Sequence, residues 1–143
     1  MTRAFSAKTT MRLLLAEDEK DLNRILTKKL TEEGYSVDSC FDGRQALDFL
    51  LSAEYDGVIL DVMMPELTGW EILKYVRSKP DLNSIGILML TGIGETLNEL
   101  SSPMYGADDY IDKPFKSQEL IFKIRRVLSR RRKLMAAEAS KQD

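Results

Sequence analysis

The chain has 143 residues, of which 43% are hydrophobic and 31% are charged, and its net charge at neutral pH is only −2. This balance is typical of one compact domain with a real core, and the weak net charge gives no general attraction to nucleic acid. No apolar run reaches the roughly 18 residues that cross a bilayer, and residues 1–10 lack the apolar segment of a secretory signal. The single cysteine, Cys40, excludes an intrachain disulfide and is typical of a reducing compartment, so we expect a cytoplasmic protein without membrane contact.

The sequence contains no histidine. This excludes Ser–His–Asp and Cys–His catalysis and any metal site built on imidazole. A metal ion bound by this chain must be held by oxygen atoms, which favours hard ions such as Mg²⁺ or Ca²⁺.

Short apolar runs alternate with segments of helical spacing. The runs that we predict to be strands are 12–16, 35–40, 57–60, 85–90 and 110–111. Helices are predicted to follow Asp18, Asp42, Thr68 and Ser117. The side chains expected on their inner faces are Leu22, Ile25, Leu26 and Leu30, then Ala46, Leu47, Leu50 and Leu51, then Ile72, Leu73 and Val76, and last Leu120, Ile121, Ile124, Val127 and Leu128. Continuously apolar strands that alternate with helices indicate an α/β domain with a parallel sheet covered on both faces.

The segment 93–105 fits this alternation less well, because Gly94 lies near its start and Pro103 in its interior. We predict a short or distorted helix there. The predicted domain covers 11–130, between a flexible N-terminal extension, 1–10, and a C-terminal tail, 131–143, that is first basic and then polar.

Four of the predicted strands end in polar residues, which are Glu17 and Asp18, Asp61, Thr91 and Lys113. Right-handed crossovers bring the carboxyl ends of parallel strands to one edge of the sheet, where ligands bind. Three carboxylates in one shallow site repel each other and need a counter-charge, which a divalent cation and Lys113 can supply. Magnesium prefers one or two carboxylates plus phosphate and water, and Asp61, on the middle strand, is placed to attack phosphorus.

Ordinary structural explanations exist for each of these residues taken alone. Glu17 and Asp18 can be the solvated start of a helix, and Asp61 can cap the segment that follows it. Their joint occurrence at strand ends favours a common site.

Four motifs in order, LLAEDE (14–19), ILDVMMPELTG (59–69), LMLTG (88–92) and GADDYIDKPF (106–115), are similar to a known family. Over roughly 11–130 the chain resembles the receiver domain of a two-component response regulator. The resemblance implies a flavodoxin-like fold, with five parallel strands in the order 2-1-3-4-5.

By the same resemblance, Asp61 is the phosphoacceptor. Glu17 and Asp18 form the acidic pair, and they hold Mg²⁺, or Mn²⁺ in its place, together with Asp61 and the backbone carbonyl of Met63.

The remaining motif residues are implied to act on the phosphoryl group or in the conformational response. Thr91 and Lys113 contact the phosphoryl group, and Tyr110 is the aromatic switch residue that turns inward when Thr91 moves. The peptide bond between Lys113 and Pro114 is expected to be cis.

The implied function is that of a signalling switch rather than an enzyme with an external substrate. A sensor histidine kinase or a phosphotransfer protein donates the phosphoryl group, the domain catalyses its own transfer and dephosphorylation, and the new conformation signals to an output partner. The sequence leaves open which kinase and which output partner are used, and whether a homodimer forms. The departure at 93–105 puts the family's usual output surface in question.

Three alternatives stay open. The chain can be an aspartyl-phosphate phosphatase, although Met63 stands where such enzymes carry a second aspartate. It can be a receiver-like interaction module that never takes phosphate. It can also be the N-terminal part of a longer DNA-binding regulator, since the tail 131–143 resembles a linker and too few residues follow Leu128 for a DNA-binding domain. The basic run 130–133 suits a helix C-terminus, so we expect no nucleic-acid contact by this chain itself.

Overall fold

The computed structural model describes residues 10–92 and 106–141, and in these residues it contains five strands and four helices. In chain order they are β1 (Arg12–Ala16), α1 (Lys20–Glu32), β2 (Ser36–Cys40), α2 (Gly43–Ser52), β3 (Gly57–Asp61), α3 (Gly69–Ser78), β4 (Gly86–Thr91), β5 (Asp109–Asp112) and α4 (Ser117–Lys141). The predicted strands are confirmed to within one or two residues at each end. The expectations for 93–105 and, apart from Thr10, for the N-terminal extension lie outside the described residues.

The five strands form one sheet in the order β2-β1-β3-β4-β5, and every pair is parallel. This confirms the predicted flavodoxin-like fold. Every residue of β3 and β4 is buried, which explains why these two runs are continuously apolar. The central position of β3 places Asp61 in the middle of the carboxyl edge.

Two hydrophobic cores cover the two faces of the sheet, because successive strand residues point to opposite sides. On one face α2 and α3 pack on the sheet, and the main contributors are Leu14, Val58, Leu60, Ile87, Met89, Leu50, Ile72, Leu73 and Val76. On the other face α1 and α4 pack on the sheet, with Leu13, Leu15, Ile59, Leu88, Leu90, Leu26, Leu30, Leu120, Ile124 and Val127. The sheet is therefore the shared wall of both cores.

The predicted helix starts at Asp42 and Thr68 are confirmed by their hydrogen bonds. The Asp42 carboxylate accepts from the backbone N–H of Gln45 at 2.8 Å. Thr68 forms a capping box with Glu71, in which each side chain accepts from the other residue's backbone N–H.

Two residues predicted on inner helix faces are largely exposed. Ile25 is 50% exposed and Leu51 is 59% exposed, so this part of the prediction is wrong. In α1 the buried face is occupied by Asn23, Leu26 and Leu30, which follow the helical spacing and leave Ile25 at its edge.

Helix α4 continues without a break from Ser117 to Lys141, so residues 131–141 of the predicted tail extend the helix. Part of its basic run packs on the domain, because the Arg131 side chain is only 17% exposed and lies 3.5 Å from the carboxylate of Asp108. None of the helices in the described residues is both long and apolar enough to cross a membrane.

A buried arginine ties the amino ends of β4 and β5 to α3. Arg77 lies 2.8 Å from the carboxylate of Asp108, and both side chains are at least 87% buried. Its remaining donors bind the carbonyl oxygens of Gly106, at 2.8 Å, Ile85, at 2.7 Å, and Asn83, at 3.0 Å. The other Asp108 interactions include the backbone N–H of Ile87, at 2.8 Å. All three guanidinium nitrogens of Arg77 therefore have a partner inside the protein.

We expect Arg77→Met to lower the free energy of unfolding by about 3 kcal/mol, because it takes a partner from the buried Asp108 carboxylate and from the carbonyl groups of Gly106 and Ile85. Chemical denaturation measures this loss. The matched control is Arg24→Met, which removes an ion pair with Asp21 whose side chains are 74% and 77% exposed, and we expect it to cost less than about 0.5 kcal/mol. Equal losses in the two variants would contradict a structural role for Arg77.

Candidate metal site at the carboxyl edge of the sheet

Three carboxylates meet at the carboxyl edge of the sheet. Glu17 and Asp18 follow β1, Asp61 ends β3, and one carboxylate oxygen of each lies within 4.8 Å of the others. Glu17 is completely buried and Asp61 is 4% exposed, whereas Asp18 is exposed. Oxygen ligands at this density are the donor set that a hard divalent cation requires. The three acidic residues predicted from the strand ends are therefore brought together.

Lys113 supplies the positive charge of the cluster. Its Nζ lies 2.8 Å from Oε1 of Glu17 and 3.0 Å from Oδ2 of Asp61. Burial by itself lowers the pKa of Lys113, but the hydrogen bonds to the two carboxylates outweigh it, so its pKa is raised and the ammonium stays charged.

Asp61 is the carboxylate that its surroundings perturb most clearly. Burial, followed by the neighbouring charge of Glu17, raises the pKa of Asp61 to about 7, although Lys113 opposes the shift. One ammonium does not neutralise two buried carboxylates, and this excess negative charge favours a cation at the site.

The loop after β3 is held tightly against the strand it leaves. The N–H of Gly69 donates to the carbonyl of Val62 at 2.8 Å, and a Cβ on Gly69 would lie 2.4 Å from the carbonyl oxygen of Asp61. Only glycine permits this approach. Met63 lies within this loop, with its side chain 62% exposed and its N–H 3.3 Å from Oδ1 of Asp61.

Thr91 lies at the same edge, but its hydroxyl group is bound elsewhere. Thr91 is buried at the end of β4, and its Oγ1 donates to Oδ1 of Asp112 at 2.5 Å, with the carbonyl of Ile111 at 3.3 Å. Tyr110 is half-buried and packs beside the core under α2 and α3. The peptide bond before Pro114 is cis.

A family model of the response regulator receiver domain matches residues 13–125. The chain belongs to this family. It is 42% identical over 118 residues to the response regulator ArlR of Staphylococcus aureus, a match that covers 82% of this chain and 52% of ArlR. The chain thus spans about half the length of the curated relatives it matches.

Solved receiver structures share the fold. The chemotaxis response regulator CheY4 of Vibrio cholerae superposes with a TM-score of 0.77 at 32% identity, and the match covers 83% of this chain and 99% of CheY4. The response regulator TrrA of Thermotoga maritima, solved in complex with Mg²⁺ and BeF, has a TM-score of 0.71 at 32% identity, over 82% and 98% of the two chains.

Asn23 is a supporting residue of this receiver that the sequence analysis missed. It is 2% exposed, and its side-chain amide donates to the carbonyl oxygens of Glu17, at 3.0 Å, and Cys40, at 2.9 Å. These bonds tie the turn that carries the acidic pair to the end of β2. The sequence does contain a sign of this role, because Asn23 is polar at a position where the spacing of Leu26 and Leu30 predicts an apolar residue.

We expect Asp61→Asn to stabilise the receiver at pH 8 in EDTA by about 2 kcal/mol, because it removes a buried charge that Glu17 repels. A raised pKa in the folded state means that the wild type gains stability as the pH falls from above 7 towards the unfolded value near 3.8. The difference between the two proteins should therefore shrink by pH 5.

Urea unfolding at the two pH values measures this effect. Asp48→Asn, on the exposed face of α2, is the control and should show no such dependence. A wild type that is as stable as Asp61→Asn at pH 8 would show that Lys113 compensates both carboxylates.

Proposed function

We propose that this receiver takes a phosphoryl group onto Asp61 in an Mg²⁺-dependent reaction and signals by changing its conformation. The observation that carries the proposal is the contact of the Lys113 ammonium with Asp61, at 3.0 Å, inside a group of three carboxylates. A carboxylate beside a fixed cation, at an edge that offers oxygen ligands for a metal ion, is the arrangement that phosphoryl transfer to aspartate requires.

Glu17, Asp18 and Asp61 would hold Mg²⁺, or Mn²⁺, together with the backbone carbonyl of Met63. The donor set fits, since all of these ligands are oxygen atoms and the buried carboxylates carry more negative charge than Lys113 offsets. The bound cation would neutralise charge on the transferring group. The complex of TrrA with Mg²⁺ and BeF supports this assignment.

The chain's own residues perform the remaining steps. A carboxylate oxygen of Asp61 forms the new bond to phosphorus while the P–N bond of a phosphohistidine, or the P–O bond of an acyl phosphate, breaks. The bonding electrons leave with the donor's imidazole or carboxylate group. Lys113 stabilises the charge on the equatorial oxygens, and Thr91 binds the phosphoryl group after transfer. Water later attacks the same phosphorus, the bond between phosphorus and the Asp61 oxygen breaks, and inorganic phosphate leaves with the carboxylate of Asp61 restored.

A groove beside the site suits the donor protein. It has a volume of about 490 Å³, and its lining includes Leu22, Ile25, Pro114, Phe115 and Lys113. Because Lys113 belongs both to the groove and to the site, a domain seated in the groove presents its phosphohistidine beside Asp61. We therefore assign the groove to the phosphohistidine-bearing domain of a sensor kinase or phosphotransfer protein, while the output partner stays unidentified.

The direct test is to incubate the receiver with acetyl phosphate and Mg²⁺ and to measure its intact mass. We expect one phosphoryl adduct on the wild type and on the control Asp48→Asn, and none in EDTA or on Asp61→Asn. An adduct that persists on Asp61→Asn would assign the acceptor to another residue. A wild type that binds Mg²⁺ but takes no adduct would favour an interaction module without the chemistry.

The groove assignment predicts that Ile25→Asp slows phosphoryl transfer from a kinase by at least about tenfold, since a charge at a central apolar contact costs more than about 1.4 kcal/mol of binding energy. The phosphoryl donor is chosen from a panel of purified sensor kinases, as the one that phosphorylates the wild-type receiver fastest. Labelling by acetyl phosphate should not change. Leu51→Asp, which alters a similarly exposed aliphatic side chain on α2, is the control, and equal slowing in both variants would contradict the assignment.

A further inference from the structure

Thr91 and Asp112 are neighbours by strand register. They are paired residues at the carboxyl ends of β4 and β5, and the backbone N–H of Lys113 donates to the carbonyl of Thr91 at 2.7 Å. The pairing places the Asp112 carboxylate beside the Thr91 hydroxyl group, with Oδ1 and Oγ1 only 2.5 Å apart. This is the short distance expected of a hydroxyl donating to an ionised acceptor.

The Thr91 hydroxyl group has a single proton to donate. A carboxylate only accepts, so the proton of this hydrogen bond comes from Thr91, and the carbonyl of Ile111 at 3.3 Å offers only a second, longer acceptor. Thr91 can donate to a phosphoryl oxygen on Asp61 only after it releases Asp112. The two acceptors therefore compete for one proton.

The two sides of this hydrogen bond differ in their surroundings. Thr91 is 1% exposed, whereas Asp112 is exposed and forms no ion pair within the described residues. Water can solvate the Asp112 carboxylate once it is released, so breaking the bond does not strand a buried charge. The contact is thus strong enough to hold the hydroxyl group and weak enough to be exchanged.

We propose that Asp112 is a positioning residue that holds Thr91 in the resting orientation and thereby weakens the binding of a phosphoryl group at Asp61. The proposal rests on the proposed function, because it requires Thr91 to contact that group. Asp112 acts through Thr91 and is itself neither a proposed metal ligand nor the acceptor.

The test is the affinity of the full chain for beryllofluoride, a phosphoryl mimic, in saturating Mg²⁺, measured by titration calorimetry. We expect Asp112→Ala to bind it about tenfold more tightly than the wild type, and Asp112→Asn, which keeps a neutral acceptor, to fall between them. The affinity for Mg²⁺ alone should be the same in all three proteins.

The decisive comparison is made in a Thr91→Ala background. There Asp112→Ala should have no effect on beryllofluoride binding, because the competing proton is absent. An equal gain in that background would overturn the proposal and attribute the effect to the lost charge. No gain on wild-type Thr91 would also overturn it.

Failure of the proposed function gives a different result. In that case the wild type would bind Mg²⁺ but not beryllofluoride, and no Asp112 variant would restore binding. Urea unfolding of each variant separates a loss of fold from a change in affinity.

Discussion

The Lys113 ammonium between two buried carboxylates is the interaction on which the rest of the site depends. Glu17 and Asp61 are almost fully removed from water, and burying an unpaired carboxylate costs several kcal/mol. Their counter-ion comes from a position 52 residues beyond Asp61, after the edge strand β5. Two strand spacings, about 10 Å, separate β3 from β5, so only a long side chain can reach across the end of β4. The strand order therefore requires a long, positively charged side chain, such as that of Lys113, at this position.

The charge of Lys113 does not fully offset the charge of these carboxylates, and the remaining negative charge determines what the site attracts. One ammonium faces two buried carboxylates, with Asp18 exposed beside them, so the edge retains negative charge. The same excess raises the pKa of Asp61 and favours a hard divalent cation. A cluster whose carboxylates were all neutralised by basic side chains would make the domain more stable, but it would attract a cation less strongly. The raised pKa of Asp61 and the attraction of this edge for a cation therefore have one electrostatic cause.

The two edges of the sheet are built differently. At the amino edge, Arg77 and Asp108 are buried, and every guanidinium nitrogen of Arg77 has a partner in the backbone or in Asp108. At the carboxyl edge, Thr91 binds the carboxylate of Asp112, which water can solvate, and Lys113 shares its charge between two groups. The Thr91 hydroxyl group can therefore change its acceptor at a lower cost than the buried Arg77 guanidinium can. The proposed shift between two conformations would use such an exchangeable hydrogen bond.

The sequence by itself determined the alternation of strands and helices, the parallel sheet, and the meeting of Asp61 and Lys113 at one edge. These follow from local patterns, since an apolar run marks a buried strand and the polar residue after it marks the edge. Only the tertiary structure decided that Ile25 is exposed beside a groove and that Thr91 donates to Asp112. The first depends on the rotation of a helix against the sheet, and the second on the register between two strands. Neither is set by residues that are neighbours in the chain, so no local pattern could reveal them.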